Sequence, residues 1–280
     1  MGVPMTALRA GAATDVGRVR SNNQDHLLMA DPLFAVADGM GGHAGGEVAS
    51  LTAVEALLAG FDANRTADGL ADAVRNANEA VWKRARERTE LRGMGTTMTA
   101  LALVRENGEE ALAIVNVGDS RAYLLRDGDL DQLTDDHSVP KELERAGRLS
   151  AEEAAVHPQH NVLTRALGIE PEVEVDCFRV IPYRGDRILL ASDGLFNEVS
   201  DKDIASVLRR MDDPDEAARE LVAMAKEHGG NDNITVVVVD VVDDDDRAGR
   251  ASAALADEPT TQWAPGAATA TALRAAQGDG

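Results

Sequence analysis

Residues 96–130 read TTMTALALVRENGEEALAIVNVGDSRAYLLRDGDL, and this stretch decides the fold class. Its strand-like pieces, 96–104 and 111–130, are punctuated by Asn107-Gly108 and Asp127-Gly128, dipeptides that suit two-residue hairpin turns. Strands spaced this closely pair antiparallel, because a parallel pair needs a crossover helix between its members. Upstream, the apolar run 33–37 reads as a buried strand stopped by Asp38-Gly39. After the Gly-rich GMGGHAGGE, residues 47–61 and 67–90 carry apolar side chains at helical spacing. Strand patterns return at 173–183, 186–195 and 233–242, and two helical stretches, 201–211 and 215–230, precede the last. Each helix pair can cover one sheet. The expected fold is α+β, a four-layer αββα sandwich of two antiparallel sheets flanked by helices.

Two segments stand apart from this pattern. Residues 134–172 hold no run fit for a core strand and read as an irregular, partly helical insertion over the surface. Residues 243–280 open on DDDD and continue rich in Ala, Thr and Gly, which reads as a disordered tail beyond a folded unit of 1–242.

The 280 residues carry 28 Lys+Arg against 49 Asp+Glu, a formal net charge of -21. Such a surface repels nucleic-acid backbones and anionic lipid. It also repels phosphorylated substrates unless bound cations reverse the local field. The single cysteine, Cys177, cannot form an intrachain disulfide, which fits a reducing cytoplasm. No apolar run is long enough to span a bilayer. A cytoplasmic monomer is expected, with no nucleic-acid or membrane partner.

Acidic residues also mark the candidate chemistry. Asp38, Asp193 and Asp232 sit where apolar runs meet Gly or Asn, Asp119 interrupts a hairpin, and Asp25 closes VRSNNQD. One such aspartate reads as a turn former or cap. Several converging on one end of a sandwich would repel unless a cation lay among them. All-oxygen ligation with no Cys and few His favours Mg²⁺ or Mn²⁺ over Zn²⁺. A pair of such ions would activate water and hold phosphoryl oxygens. Gly39, Gly41 and Ala44 also fit a dinucleotide-binding fingerprint. Against it, Asp38 would face the pyrophosphate, and a loop stands where the second strand should begin.

The chain resembles the metal-dependent serine/threonine protein phosphatases of type 2C, the PPM family, in their compact bacterial form. The resemblance runs from about residue 8 to 242. It rests on TDVGRVRSNNQD (14–25), LFAVADGMGGHAGGEVAS (33–50), GMGTTMTAL (93–101), VGDSRAYLLRDG (117–128), LTDDHS (133–138), HPQHNVLTRALG (157–168), LLASDGLF (189–196) and GGNDNITVVVV (229–239), in that order. It implies the αββα sandwich with a metal centre in the cleft between the sheets. Asp38 would bridge two Mn²⁺ or Mg²⁺ ions, Gly39 would lend its carbonyl to one, and Asp193 and Asp232 would hold the other. Asp25 would orient metal-bound waters, and Asp119 with Asp193 would hold a third, weaker ion. Arg20 matches the arginine that grips the substrate phosphate, a task suited to a forked guanidinium. His43 is the nearest candidate general acid, although eukaryotic relatives place a histidine where Met40 stands. Residues 134–172 match the flap bordering the cleft, where Arg165 either touches phosphoprotein or makes a structural salt bridge. The implied function is hydrolysis of phosphoserine and phosphothreonine by metal-activated water, reversing Ser/Thr kinase signalling. The implied partners are phosphoprotein targets of such kinases, or the kinases themselves. The alternative is a non-catalytic phosphoprotein-binding module on the same fold; such a module would lack metal ligands, and none is missing.

Overall fold

Leu33–Ala37 is buried at all five positions, so both of its faces must be covered, and the architecture follows from how they are. The computed structural model describes residues 6–42, 44–106, 108–155, 157–159 and 162–243. The N-terminal half comprises β1 (Ala7–Asp15), β2 (His26–Ala30), β3 (Leu33–Ala37), β4 (Gly39–Met40), α1 (Gly45–Ala63) and α2 (Ala67–Glu87). Next come β5 (Gly95–Thr96), β6 (Met98–Glu106), β7 (Glu109–Val117), β8 (Arg121–Arg126), β9 (Asp129–Gln132), α3 (Val139–Arg145) and α4 (Ala151–Ala155). The remainder is β10 (Asp176–Val180), β11 (Arg187–Ala191), α5 (Asp193–Phe196), α6 (Asp201–Arg210), α7 (Pro214–His228) and β12 (Ile234–Asp243).

One sheet has the order β1-β12-β11-β8-β9 and the other β10-β7-β6-β3-β2, with β4 and β5 forming a short ribbon. All of these pairings are antiparallel. The β8–β9 hairpin turns through Asp127 and Gly128 at φ 54° and 92°, the doubly left-handed geometry that matches strand twist. Alternation along each strand then builds the layers. Phe34, Val36, Ile188, Leu190, Val237 and Val239 fill the space between the sheets. Leu33, Ala35 and Ala37 face the other way onto Leu57, Leu70 and Val74 of α1 and α2. Leu189, Val236 and Val238 likewise meet Ile204, Leu208 and Leu221 of α6 and α7. Continuous apolar runs therefore arise in antiparallel strands because helices cover the outer faces. The long helices begin as their sequences require: Thr66 caps α2 by accepting from the Gly69 N–H, and Asp213 caps α7 ahead of Pro214.

The αββα expectation holds, with two corrections. The β4–β5 ribbon was not foreseen, since two residues per strand carry no period. The 134–172 segment is a surface insertion only in its middle. Thr134, Asp136, His137 and Ser138 are buried at its start and Leu167 near its end. Its two arms are laced together by Val139 N–H to Val162 O and Thr164 N–H to His137 O, each 2.9 Å. Leu167 in turn exchanges hydrogen bonds of 2.8 and 3.1 Å with Thr96 in β5. Apart from Asp243, which ends β12, the expected tail lies outside the described residues. Among the described residues no helix is long and apolar enough to cross a membrane.

Leu190 lies fully buried between the sheets. Leu190→Ala is expected to lower the unfolding free energy by about 2–5 kcal/mol, read from urea denaturation. A loss below about 1 kcal/mol would mean that the inter-sheet layer is loosely packed.

Candidate active site

Antiparallel topology brings the acidic residues together. Asp38 follows β3, Asp193 follows β11, Asp119 lies between β7 and β8, and Asp25 and Asp232 precede β2 and β12. All five therefore stand at one end of the two sheets. There a cleft of about 570 Å³ is lined by Arg20, Asp38, Gly39, Asp119, Arg165, Asp193 and Asp232, among others. Asp25 is buried.

Neutral polar neighbours fix the segments that carry these aspartates. The Asp38 N–H donates to Thr97 Oγ1 at 2.9 Å, and its carbonyl accepts from the Thr97 N–H at 2.9 Å and Thr96 Oγ1 at 2.8 Å. Thr97 Oγ1 also meets Ser120 Oγ at 2.8 Å, so one buried hydroxyl links the Asp38 strand end to the residue after Asp119. Ser192 Oγ accepts from the Thr235 N–H at 2.9 Å and donates to Asp25 Oδ2 at 2.8 Å. Asn233 staples the 16–24 loop to its neighbour Asp232: its Nδ2 reaches Val16 O and Asn22 O, both 3.0 Å, and its Oδ1 accepts from the Gln24 N–H at 2.8 Å. Glycine is required at Gly39, where a Cβ would run into the carbonyl oxygens of Gly46 and Gln24. Gly17, at φ 78°, lies against Asp232 and Gly230 in the same way.

The electrostatics record the crowding. Burial raises the Asp25 and Asp119 carboxyls to about 7 each, with repulsion from Asp193 adding to both. Burial, then Asp232, raises Asp193 to about 6. Asp38 is pushed well above the carboxylate range by burial and by four neighbouring aspartates. Arg20 lends Nη2 to Asp232 Oδ2 at 2.6 Å, and this bond is the main reason its own pKa is raised.

These residues fit a hard divalent cation. Asp25 Oδ1 and Asp193 Oδ1 are buried without a hydrogen-bond partner, and an orphaned carboxylate oxygen is what a cation would satisfy. The donors are all oxygen, the set that Mg²⁺ and Mn²⁺ prefer. Among the described residues, however, no three His, Cys, Asp or Glu side chains already close on one point as a finished metal shell. His43 lies outside the described residues. Arg165 lines the cleft and is also salt-bridged, to Asp176 at 2.7 Å and Glu174 at 3.8 Å. The supporting residues Thr97, Ser192 and Asn233 were not singled out from the sequence. Polar residues closing the ends of apolar strands were the available signal.

The described residues thus form a two-sheet sandwich with a carboxylate-lined cleft at one rim. The profile of the family Protein phosphatase 2C matches residues 13–234. The chain belongs to the protein phosphatase 2C family. The serine/threonine protein phosphatase PstP of Mycobacterium tuberculosis is 43% identical over 240 residues, 84% of this chain but 45% of its own length. The chain thus spans under half of that relative. The serine/threonine phosphatase stp of Listeria welshimeri is 39% identical over 246 residues, 83% of this chain and 96% of its own length. Among solved structures, the PPM Ser-Thr phosphatase MsPP of Mycobacterium smegmatis, in complex with cacodylate, superposes with a TM-score of 0.78 at 45% identity, covering 85% of this chain and all of its own. The catalytic domain of PstP with two manganese ions gives 0.74 at 42% identity, covering 84% of this chain and 99% of that one.

The raised carboxyls fix the sign of a pH dependence. Groups that ionise near 4 when unfolded but near 6 to 7 when folded stabilise the metal-free protein below the lower value. That contribution is lost as pH rises through the upper one. The Tm of the metal-free protein is expected to fall between pH 5 and pH 8, and Mn²⁺ is expected to raise Tm more at pH 8. A Tm that climbs over this range without metal would contradict the crowding.

Proposed function

We propose that the chain is a Mn²⁺- or Mg²⁺-dependent protein phosphatase that hydrolyses phosphoserine and phosphothreonine in proteins. The observation that carries this reading is the set of enclosed aspartates with partnerless carboxylate oxygens, set beside an exposed arginine in one cleft. Asp38, the carbonyl of Gly39, Asp193 and Asp232 would hold two ions, and Asp119 with Asp193 a third. Asp25, anchored by Ser192, would orient coordinated water. When bound, such ions supply an acidified water as nucleophile and positive charge for the phosphate oxygens.

The chain's own residues do the rest. Arg20, about half exposed, is parked on Asp232 and would turn its fork onto two phosphate oxygens. Asn233 keeps the Arg20 loop and Asp232 in register, so the phosphate-gripping cation and a ligand carboxylate move as one piece. The departing Ser or Thr oxygen needs a proton, and His43 is assigned that task. Its partners would be phosphoproteins made by Ser/Thr kinases, or the kinases, and it would act as a cytoplasmic monomer.

Hydrolysis of p-nitrophenyl phosphate and of a phosphothreonine peptide is expected with Mn²⁺ and should vanish in EDTA. Asp38→Ala should lower kcat about 100-fold or more, and Arg20→Lys should raise KM about tenfold with less change in kcat. Activity that persists in EDTA or in Asp38→Ala overturns the reading. His43→Ala should slow the peptide more than the aryl ester, whose leaving group needs less protonation; no change on either removes the general-acid role.

A further inference from the structure

His137 is wholly buried and has no part in the chemistry above. Both ring nitrogens are engaged. Nδ1 accepts from the Gly118 N–H at 3.1 Å, and the second nitrogen, Nε2, meets Asp176 Oδ2 at 3.1 Å. The first bond requires a bare Nδ1, so the proton sits on Nε2 and is donated to the carboxylate. The main chain doubles the tie: the His137 N–H donates to Gly118 O at 3.0 Å, and His137 O accepts from the Thr164 N–H at 2.9 Å.

What lies at each end gives these bonds their meaning. Gly118 precedes Asp119, a proposed ligand. The other oxygen of Asp176 accepts from Arg165 Nη1 at 2.7 Å, and Arg165 lines the cleft that Asp119 also lines. The bond from His137 is the main cause that lowers Asp176 to about 2, so its grip on Arg165 persists at any working pH. A residue serving only to fill space would use its volume. This one spends both nitrogens on Gly118 and Asp176, groups on different segments that each adjoin a cleft-lining residue, Asp119 by the chain and Arg165 by its salt bridge.

We propose that His137 is a positioning residue with two separable arms, Nδ1 setting the Asp119 turn and Nε2 setting the Arg165 guanidinium through Asp176. The kinetic arm rests on the phosphatase reading; the metal-binding arm does not need turnover.

Two variants divide the arms. In His137→Asn the amide oxygen stands where Nδ1 stood and keeps Gly118, while Asp176 is released. In His137→Gln the amide nitrogen reaches the place of Nε2 and keeps Asp176, while Gly118 is released. His137→Asn is expected to raise KM for a phosphothreonine peptide about fivefold, with calorimetric Mn²⁺ binding at the parental value. His137→Gln is expected to weaken, about tenfold, the Mn²⁺-binding step that Asp119→Asn removes, with peptide KM unchanged. Variants that shift both readouts together, or neither, overturn the proposal. If both lose the fold in a thermal melt, Asp176→Asn decides: raised peptide KM with parental Mn²⁺ binding supports it, and an unchanged KM overturns it. Parental protein that hydrolyses nothing with Mn²⁺ defeats the phosphatase reading instead, and the calorimetry of His137→Gln then decides by itself.

Discussion

Repulsion among enclosed carboxylates is the constraint on which the rest of the structure depends. Bringing like charges out of water and close together is unfavourable twice over, by desolvation and by Coulomb repulsion in a poorly screening medium. Without metal, the protein meets this by shifting several of these groups toward their neutral forms. The aspartates are positioned largely by hydroxyls and amides, Thr97 for Asp38, Ser192 for Asp25 and Asn233 beside Asp232, whose carboxylate also meets the Arg20 guanidinium. Neutral partners fix position without cancelling charge. That leaves the negative field of the cleft in place.

The sandwich suits this arrangement because its core is made of three apolar layers that close the middle and leave the rims free. At the carboxylate-lined rim the strands can end in polar residues without opening the inter-sheet layer. The 134–172 segment then frames one side of the cleft, and its buried ends tie it to Gly118 on one arm and Thr96 on the other. Two features of the cleft, the Asp119 turn and a rim, therefore share one set of hydrogen bonds.

Much of this was legible in the sequence. Antiparallel sheets followed from turn dipeptides between short apolar runs, and Asp127-Gly128 adopts the hairpin geometry its composition suggests. Carboxylates ending apolar strands announced the site, since such residues are otherwise unfavourable there. What stayed hidden was the supporting layer. Ser192 and Asp25 are 167 residues apart, and Asn233 reaches a residue 217 positions away, so no local pattern couples them. The burial of Thr134, Asp136, His137 and Ser138 was hidden for the same reason, because those polar residues look like surface until their distant partners are known. Of the two readings of Arg165, the structure shows the salt bridge, made by a residue that also lines the cleft.

The pairing of β1 with β12 joins the two ends of the folded region, and Arg20 meets Asp232 across 212 residues of chain. During synthesis, a chain emerging from its N-terminus carries Arg20, Asp25 and Asp38 long before their partners exist. Only when the final strand arrives can the first find its neighbour and the loop carrying Arg20 settle against Asp232. Contacts this distant in sequence are slow to close. Assembly of the centre is thus a late event in the life of each new molecule, and an unfinished chain is a chain without a site.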